Sequence, residues 1–216
     1  MVIRYLLSVE NMSVLSDILS SDTEKNWQKL ASEIRGEFID GDFWNSDKVI
    51  LNYRKSKIIL DTYTVHSGMT LTYNRLRCPF VSKNGITFEI CPEKKRNYIN
   101  DLFSIKKTET GNNEFDNKIH CRSKHLKSFR SFLDSNLLQE KYFSVLQNTD
   151  VEVSVREITR FFSLNHAPPI MNNWITLERL GKESDVEILK SWFDLCKLTL
   201  DRLIEIGEAE DISSEI

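Results

Sequence analysis

Glycine and proline are scarce in this chain, seven and four among 216 residues, which excludes both a glycine-periodic fibre and a Pro/Gly-rich disordered segment. None of the seven glycines falls in a G-x-x-x-x-G-K or G-x-G-x-x-G arrangement, so the usual phosphate cradles are missing. Long apolar runs are missing too. No stretch approaches the roughly 18 uninterrupted apolar residues of a membrane-spanning helix. The opening MVIRYLLSV is broken by Arg4 and lacks the basic head, long apolar run and cleavage site of an export signal. The expectation is a soluble, cytoplasmic protein that does not enter a membrane.

Cysteine is limited to positions 78, 91, 121 and 196, without regular spacing. In a reducing compartment these read as free thiols in apolar or strand surroundings, where a thiol is an inert small hydrophobe. His120, Cys121 and His125 lie close together, but no second Cys-x-x-Cys or His-x-x-x-His half follows. They read as a buried thiol between two solvated imidazoles, with no metal and no cofactor expected. Asp40, Asp42, Asp47 and Asp61 read first as turn residues or strand-face charges rather than as a catalytic carboxylate pair.

What is present is a mixture of two periods. Ser21 and Glu24 have capping-box spacing before Trp27, Leu30, Ala31 and Ile34, and Gly36 can end that helix in the left-handed conformation. An earlier helix is expected over about residues 2–19. From Gly36 the segments KVILNY, KIILDTYTV, MTLTYNRLR and ITFEI are rich in β-branched and aromatic residues, and ITFEI alternates with period two, predicting an antiparallel meander with one wet face. A basic helix is expected over about 94–105, packing Tyr98, Leu102 and Ile105 on the sheet. The polar run TETGNNEFDN, 108–117, is the candidate joint between a first part, 1–107, and a second α+β part, 118–207, that repeats the same grammar without repeating residues.

In the second part KIHCRS, VEVSVRE, ITRFFSL and WITLERL read as strands, with helices near 124–134 and 136–147. The last helix is the clearest element. Ser184 and Glu187 have capping-box spacing, and Leu189, Phe193, Cys196, Leu200 and Leu203 form one apolar stripe before Gly207. Residues 208–216 read as a frayed acidic tail. The fold class is therefore α+β, antiparallel sheet packed with amphipathic helices, with two similar halves as an open possibility.

Two places attract a functional reading. A three-residue loop, His66–Ser67–Gly68, with Gly68 at positive φ, would set Asp61 opposite Tyr73 and put Asp61, Tyr63, Tyr73, Arg75 and Arg77 on one face. That patch reads either as a cross-strand network that holds the register or as a site where arginines grip an anion or a peptide. The second place is residues 118–130, KIHCRSKHLKSFR, with Lys118, Arg122, Lys124, Lys127 and Arg130 and no acid. Residues 94–130 carry ten Lys and Arg against four Asp and Glu, whereas 183–216 carry three against ten. Such blocks face each other in the fold or face partners.

The segments WQKLA at 27–31, GDFW at 41–44, LDTYTV, TYNRLRCP, GITFEI, EFD at 114–116, and WITLERLG followed by LCKLTLDRLIEIG resemble a family of bacterial proteins of unknown function. The resemblance covers most of the chain. It implies a bacterial, cytoplasmic origin and carries no activity, cofactor or site residue. The leading expectation is a non-enzymatic factor that binds another protein, of immunity, antitoxin-like or accessory type. The alternatives are a nucleic-acid-binding protein using residues 118–130, with Phe129 as a stacking platform, and an enzyme whose site is the hairpin patch.

Overall fold

The computed structural model describes residues 22–42, 45–95, 107–157 and 172–211. The expected helix at 2–19, Ser21 of the first capping box, most of the basic helix at 94–105, the strand ITRFFSL and the end of the acidic tail lie outside these residues.

Helix α1 spans residues 22–34 and buries Trp27, Leu30 and Ala31, the apolar positions of its 3.6-residue period. The Trp27 indole donates to the Glu183 carbonyl at 3.2 Å, which ties α1 to the segment before the last helix. The left-handed residue that ends α1 is Arg35, φ 57°, and not Gly36. Gly36 is needed for another reason: a Cβ there would stand 2.7 Å from the Ile50 carbonyl oxygen.

Strands β1 (Glu37–Ile39), β2 (Lys48–Tyr53), β3 (Ser56–Ser67) and β4 (Met69–Ser82) run as an antiparallel meander. Asp42 and Asp47 shape the turn between β1 and β2 through Asn45 and the Gly41 amide. The next strand, β5 (Phe88–Pro92), does not continue the meander. It pairs with β6 (Ile119–Ser123) and β7 (Glu152–Glu157), while β8 (Asn172–Leu180) fills the place between β4 and β7. The sheet order is β1-β2-β3-β4-β8-β7-β5-β6, so strands from both sides of residues 108–117 share one nine-stranded sheet. The ninth strand, β9 (Ala209–Glu210), pairs with Val81 and Ser82 of β4. The acidic tail expected from 208 is thus anchored at its start, with Ala209 buried.

Period-two alternation gives the sheet an apolar inner side. Leu60, Leu76, Cys78, Ile90, Cys121, Val153, Val155, Ile175 and Leu177 are all buried on it. Helices α2 (Asn113–Lys118), α3 (Leu126–Leu133), α4 (Asn136–Thr149) and α5 (Val186–Glu205) complete the described α-helices, and Glu93–Lys95 forms a short 3-10 turn. Phe88 of the sheet meets Phe129 and Phe132 of α3 at ring distances of 5.1 and 4.8 Å, and Tyr142 of α4 shares a 2.8 Å hydrogen bond with Thr199 of α5. The α5 stripe is buried as its spacing predicts, with Trp192 and Leu195 widening it. Its N-cap is Asp185, one residue later than expected. The Asp185 carboxylate accepts from the Glu187 and Ile188 amides, while Glu183 takes the Ser184 and Asp185 amides.

Candidate functional site

The turn between β3 and β4 centres on Gly68, φ 72°, with His66 opposite Thr70. The loop is Ser67–Gly68–Met69, one residue later than predicted, which slides the register by two. Asp61 therefore faces Arg75, and Tyr63 faces Tyr73. A two-residue slide leaves every side chain on its own face, so the five predicted residues still share one side of the sheet. The side is the outer one, away from α5.

Asp61 is the hub. Arg75 grips it bidentately, Nε to Oδ1 at 3.0 Å and Nη2 to Oδ2 at 2.9 Å, and Arg77 Nη2 reaches Oδ2 at 2.8 Å. The carboxylate is buried although it sits on the outer face, because the two guanidiniums lie over it. The tyrosine rings stack at 5.2 Å, and the Arg75 guanidinium lies 4.7 Å above Tyr63. Burial, then the Glu178 carboxylate, push the Tyr63 hydroxyl up to about 12. It acts here as a neutral hydrogen-bonding phenol, not as a base.

The pairing of β4 with β8, and of β8 with β7, extends this surface with residues that local sequence did not single out. Arg75 faces Glu178, which faces Glu152; Arg77 faces Thr176, which faces Ser154. Ser154 in turn faces Glu89, and Glu89 faces Arg122. The Arg77 guanidinium lies 5.0 Å above Trp174. Arg75, Arg77, Arg156, Trp174 and Glu178 line a shallow cleft of about 320 Å³. The alternation in VEVSVRE and WITLERL marks Arg156, Trp174 and Glu178 as outward-facing. Which strands they neighbour is a long-range fact.

Glu152 sits in this row beside Glu89, and burial followed by that like charge raises its pKa, against the pull of Arg156. A carboxyl whose folded pKa lies above its unfolded one gives stability that is complete below the unfolded pKa and lost as pH rises through the folded one. Glu152→Gln is therefore expected to melt higher than the parent at neutral pH, with the difference vanishing below the ordinary glutamate value. Thermal melts at the two pH values check this.

The basic segment is not one patch. The strand period turns Arg122 to the outer face, where its Nη2 lies 2.7 Å from both Glu89 oxygens. Lys118 lies 5.3 Å from the Phe143 ring centroid. Lys124, Lys127 and Arg130 are exposed on and before α3, which packs on the inner side. Phe129 is fully buried in the core and offers no platform for stacking a base. His120 is buried rather than solvated. Burial raises the Cys91 thiol to about 12 and pushes Cys121 and Cys196 up as well, the opposite of what activates a thiolate. Among the described residues no ion pair joins 107–130 to 183–211. Arg202 instead donates to the Phe132 and Asp134 carbonyls at the end of α3, and Asp201 pairs with Arg54.

Among the described residues no helix is long and apolar enough to cross a membrane, and no group of three or more His, Cys, Asp or Glu is placed to hold a metal ion. A scan against protein-family models returns no match, and a search of curated proteins returns none. Among solved structures, the crystal structure of the mycobacterial trehalose monomycolate transport factor A, TtfA, is similar at 9% identity and a TM-score of 0.45, covering 90% of this chain and 98% of that one. Neither figure bears on function.

Proposed function

We propose that the chain is a non-enzymatic protein-binding factor, of immunity, antitoxin-like or accessory type, whose docking surface is the outer face of the sheet. One observation carries the reading: Arg75, Arg77, Tyr63, Tyr73 and Trp174 stand together on that face, with the guanidiniums held from behind by one buried carboxylate. Arginine and aromatic side chains are the types that interfaces concentrate and that carry most binding energy. A sheet also presents them already ordered, so little side-chain entropy is lost on binding. The nucleic-acid alternative rests on the exposed Lys124, Lys127 and Arg130.

The test uses two variants, Trp174→Ala on the sheet face and a Lys124/Lys127/Arg130 triple alanine on and before α3. Each is used as bait in native-cell extract, and the captured protein is then purified and titrated back. Loss of about 2 kcal/mol of affinity with the first variant and none with the second is the expected result. Tight, salt-sensitive DNA or RNA binding by the parent, weakened in the triple variant, installs the alternative instead.

A further inference from the structure

Beyond Leu60 on one side and Gly181 on the other, the β3–β4 hairpin leaves its neighbours. The last β2 partner of β3 is Val49, opposite Leu60, and the β8 ladder on β4 ends at Asn74, with one bridge from Tyr73 to Gly181. The arm that projects, from the Thr62/Asn74 pair to the His66/Thr70 pair, is five pairs or roughly 17 Å long. Among the described residues its β3 edge is open, whereas its β4 edge is held at the base, where the Gly181 amide donates to the Thr72 carbonyl at 2.8 Å. Its tip is exposed, Val65 at 40% and Met69 at 70%.

The composition of this arm is unlike the rest of the chain. Residues 62–74, TYTVHSGMTLTYN, contain no Asp, Glu, Lys or Arg, whereas 28% of the whole chain is charged. Open strand edges are ordinarily defended by lysine, proline or a bulge, because unpaired backbone amides and carbonyls recruit another strand. Here β3 carries none of these from Thr62 to Ser67. The charges resume where the arm rejoins the sheet, with Asp61 and Arg75 paired to each other.

We infer that the open β3 edge is where a second copy of this chain docks, strand against strand, continuing the sheet across a two-fold axis. The absence of charge is what selects a second copy as the occupant. Facing residues in an antiparallel pair lie on one side of the sheet, so a two-fold sets Val65 against its own copy or against Tyr63 of the second copy. Any charge near the axis would meet a like charge; a foreign strand imposes no such condition. Val65 and Tyr63 share a face, and their pairing continues the apolar strip formed with Leu71. A six-residue edge buries less than the roughly 1,200 Å² of standard stable interfaces, so the dimer is weak and reversible. The inference uses a strand edge rather than the sheet face and does not depend on a foreign partner.

The experiment is sedimentation velocity on the full chain over a concentration series, for the parent, Val65→Lys, Val65→Glu, an equimolar mixture of the two, and Leu137→Lys as a control at an exposed apolar residue on α4. Thermal melts confirm that each variant is folded, and Thr64→Lys, at an exposed position on the same edge, replaces any that is not. The expected result is concentration-dependent dimer for the parent and the control, at least tenfold weaker self-association for each Val65 variant alone, and recovery in the mixture. A parent that stays monomeric throughout, a lysine variant that dimerises like the parent, an equal loss in the control, or a mixture that fails to recover overturns it.

Discussion

Phe193→Ala is expected to cost about 3–5 kcal/mol of folding stability, the range for truncating a phenylalanine in a well-packed core. The ring is fully buried at mid-stripe on α5, between Leu189 and Cys196, where the helix lies on the sheet and on α4. Nothing polar is released by the change, so the loss combines transfer free energy with the cavity left behind. Urea melts should show the midpoint falling while the slope stays that of the parent. A loss below about 1 kcal/mol would mean that neighbouring side chains collapse into the space, which the surrounding rigid ladder opposes.

Asp61→Ala should cost about 3 kcal/mol, near the low end for breaking a buried ion pair. The carboxylate takes three hydrogen bonds from two guanidiniums, and its removal leaves two like charges side by side. The low end applies because Arg75 and Arg77 keep 24% and 27% of their side-chain surface in water and can turn outward. Arg75→Ala should cost less, since Asp61 retains Arg77. The double variant should fall short of the sum by about 1 kcal/mol or more, because the second loss removes a charge that the first had stranded. Additive losses in urea melts would show that Arg77 alone holds Asp61. Unchanged stability with lost partner binding would assign the whole network to recognition.

The hairpin patch was legible in the sequence for a reason that also explains its one error. Gly68 has the positive φ that its place in the sequence predicts, but the turn centres on it rather than on Ser67, which moves the register by two. Side-chain parity survives an even slip, so the five residues share a face in either register while the partner of Asp61 changes from Tyr73 to Arg75. The α5 stripe was legible because its period is local. Strand order was not: no local pattern states that β8 lies between β4 and β7, and the contributions of Trp174, Arg156 and Glu178 follow from that order alone. The basic segment failed in the opposite way. Charges counted along the chain looked like one surface, whereas a strand followed by a helix sends Arg122 and Arg130 to different layers. The chain's scarce glycine misled once, at Gly36, where crowding by Ile50 rather than backbone handedness explains the residue.

All four cysteines are free and buried, and they lie at two well-separated places in the sheet order. Cys78 of β4 and Cys196 of α5 sit together at one, Cys91 of β5 and Cys121 of β6 at the other. The native molecule therefore carries a clock for its own breathing. A thiol reagent added without denaturant can react only when a region opens, so the labelling rate of each pair reports the opening free energy of its part. Equal rates for both pairs would mean that strands from either side of residues 108–117 open as one cooperative unit. Unequal rates would divide the molecule in time where the single sheet does not divide it in space.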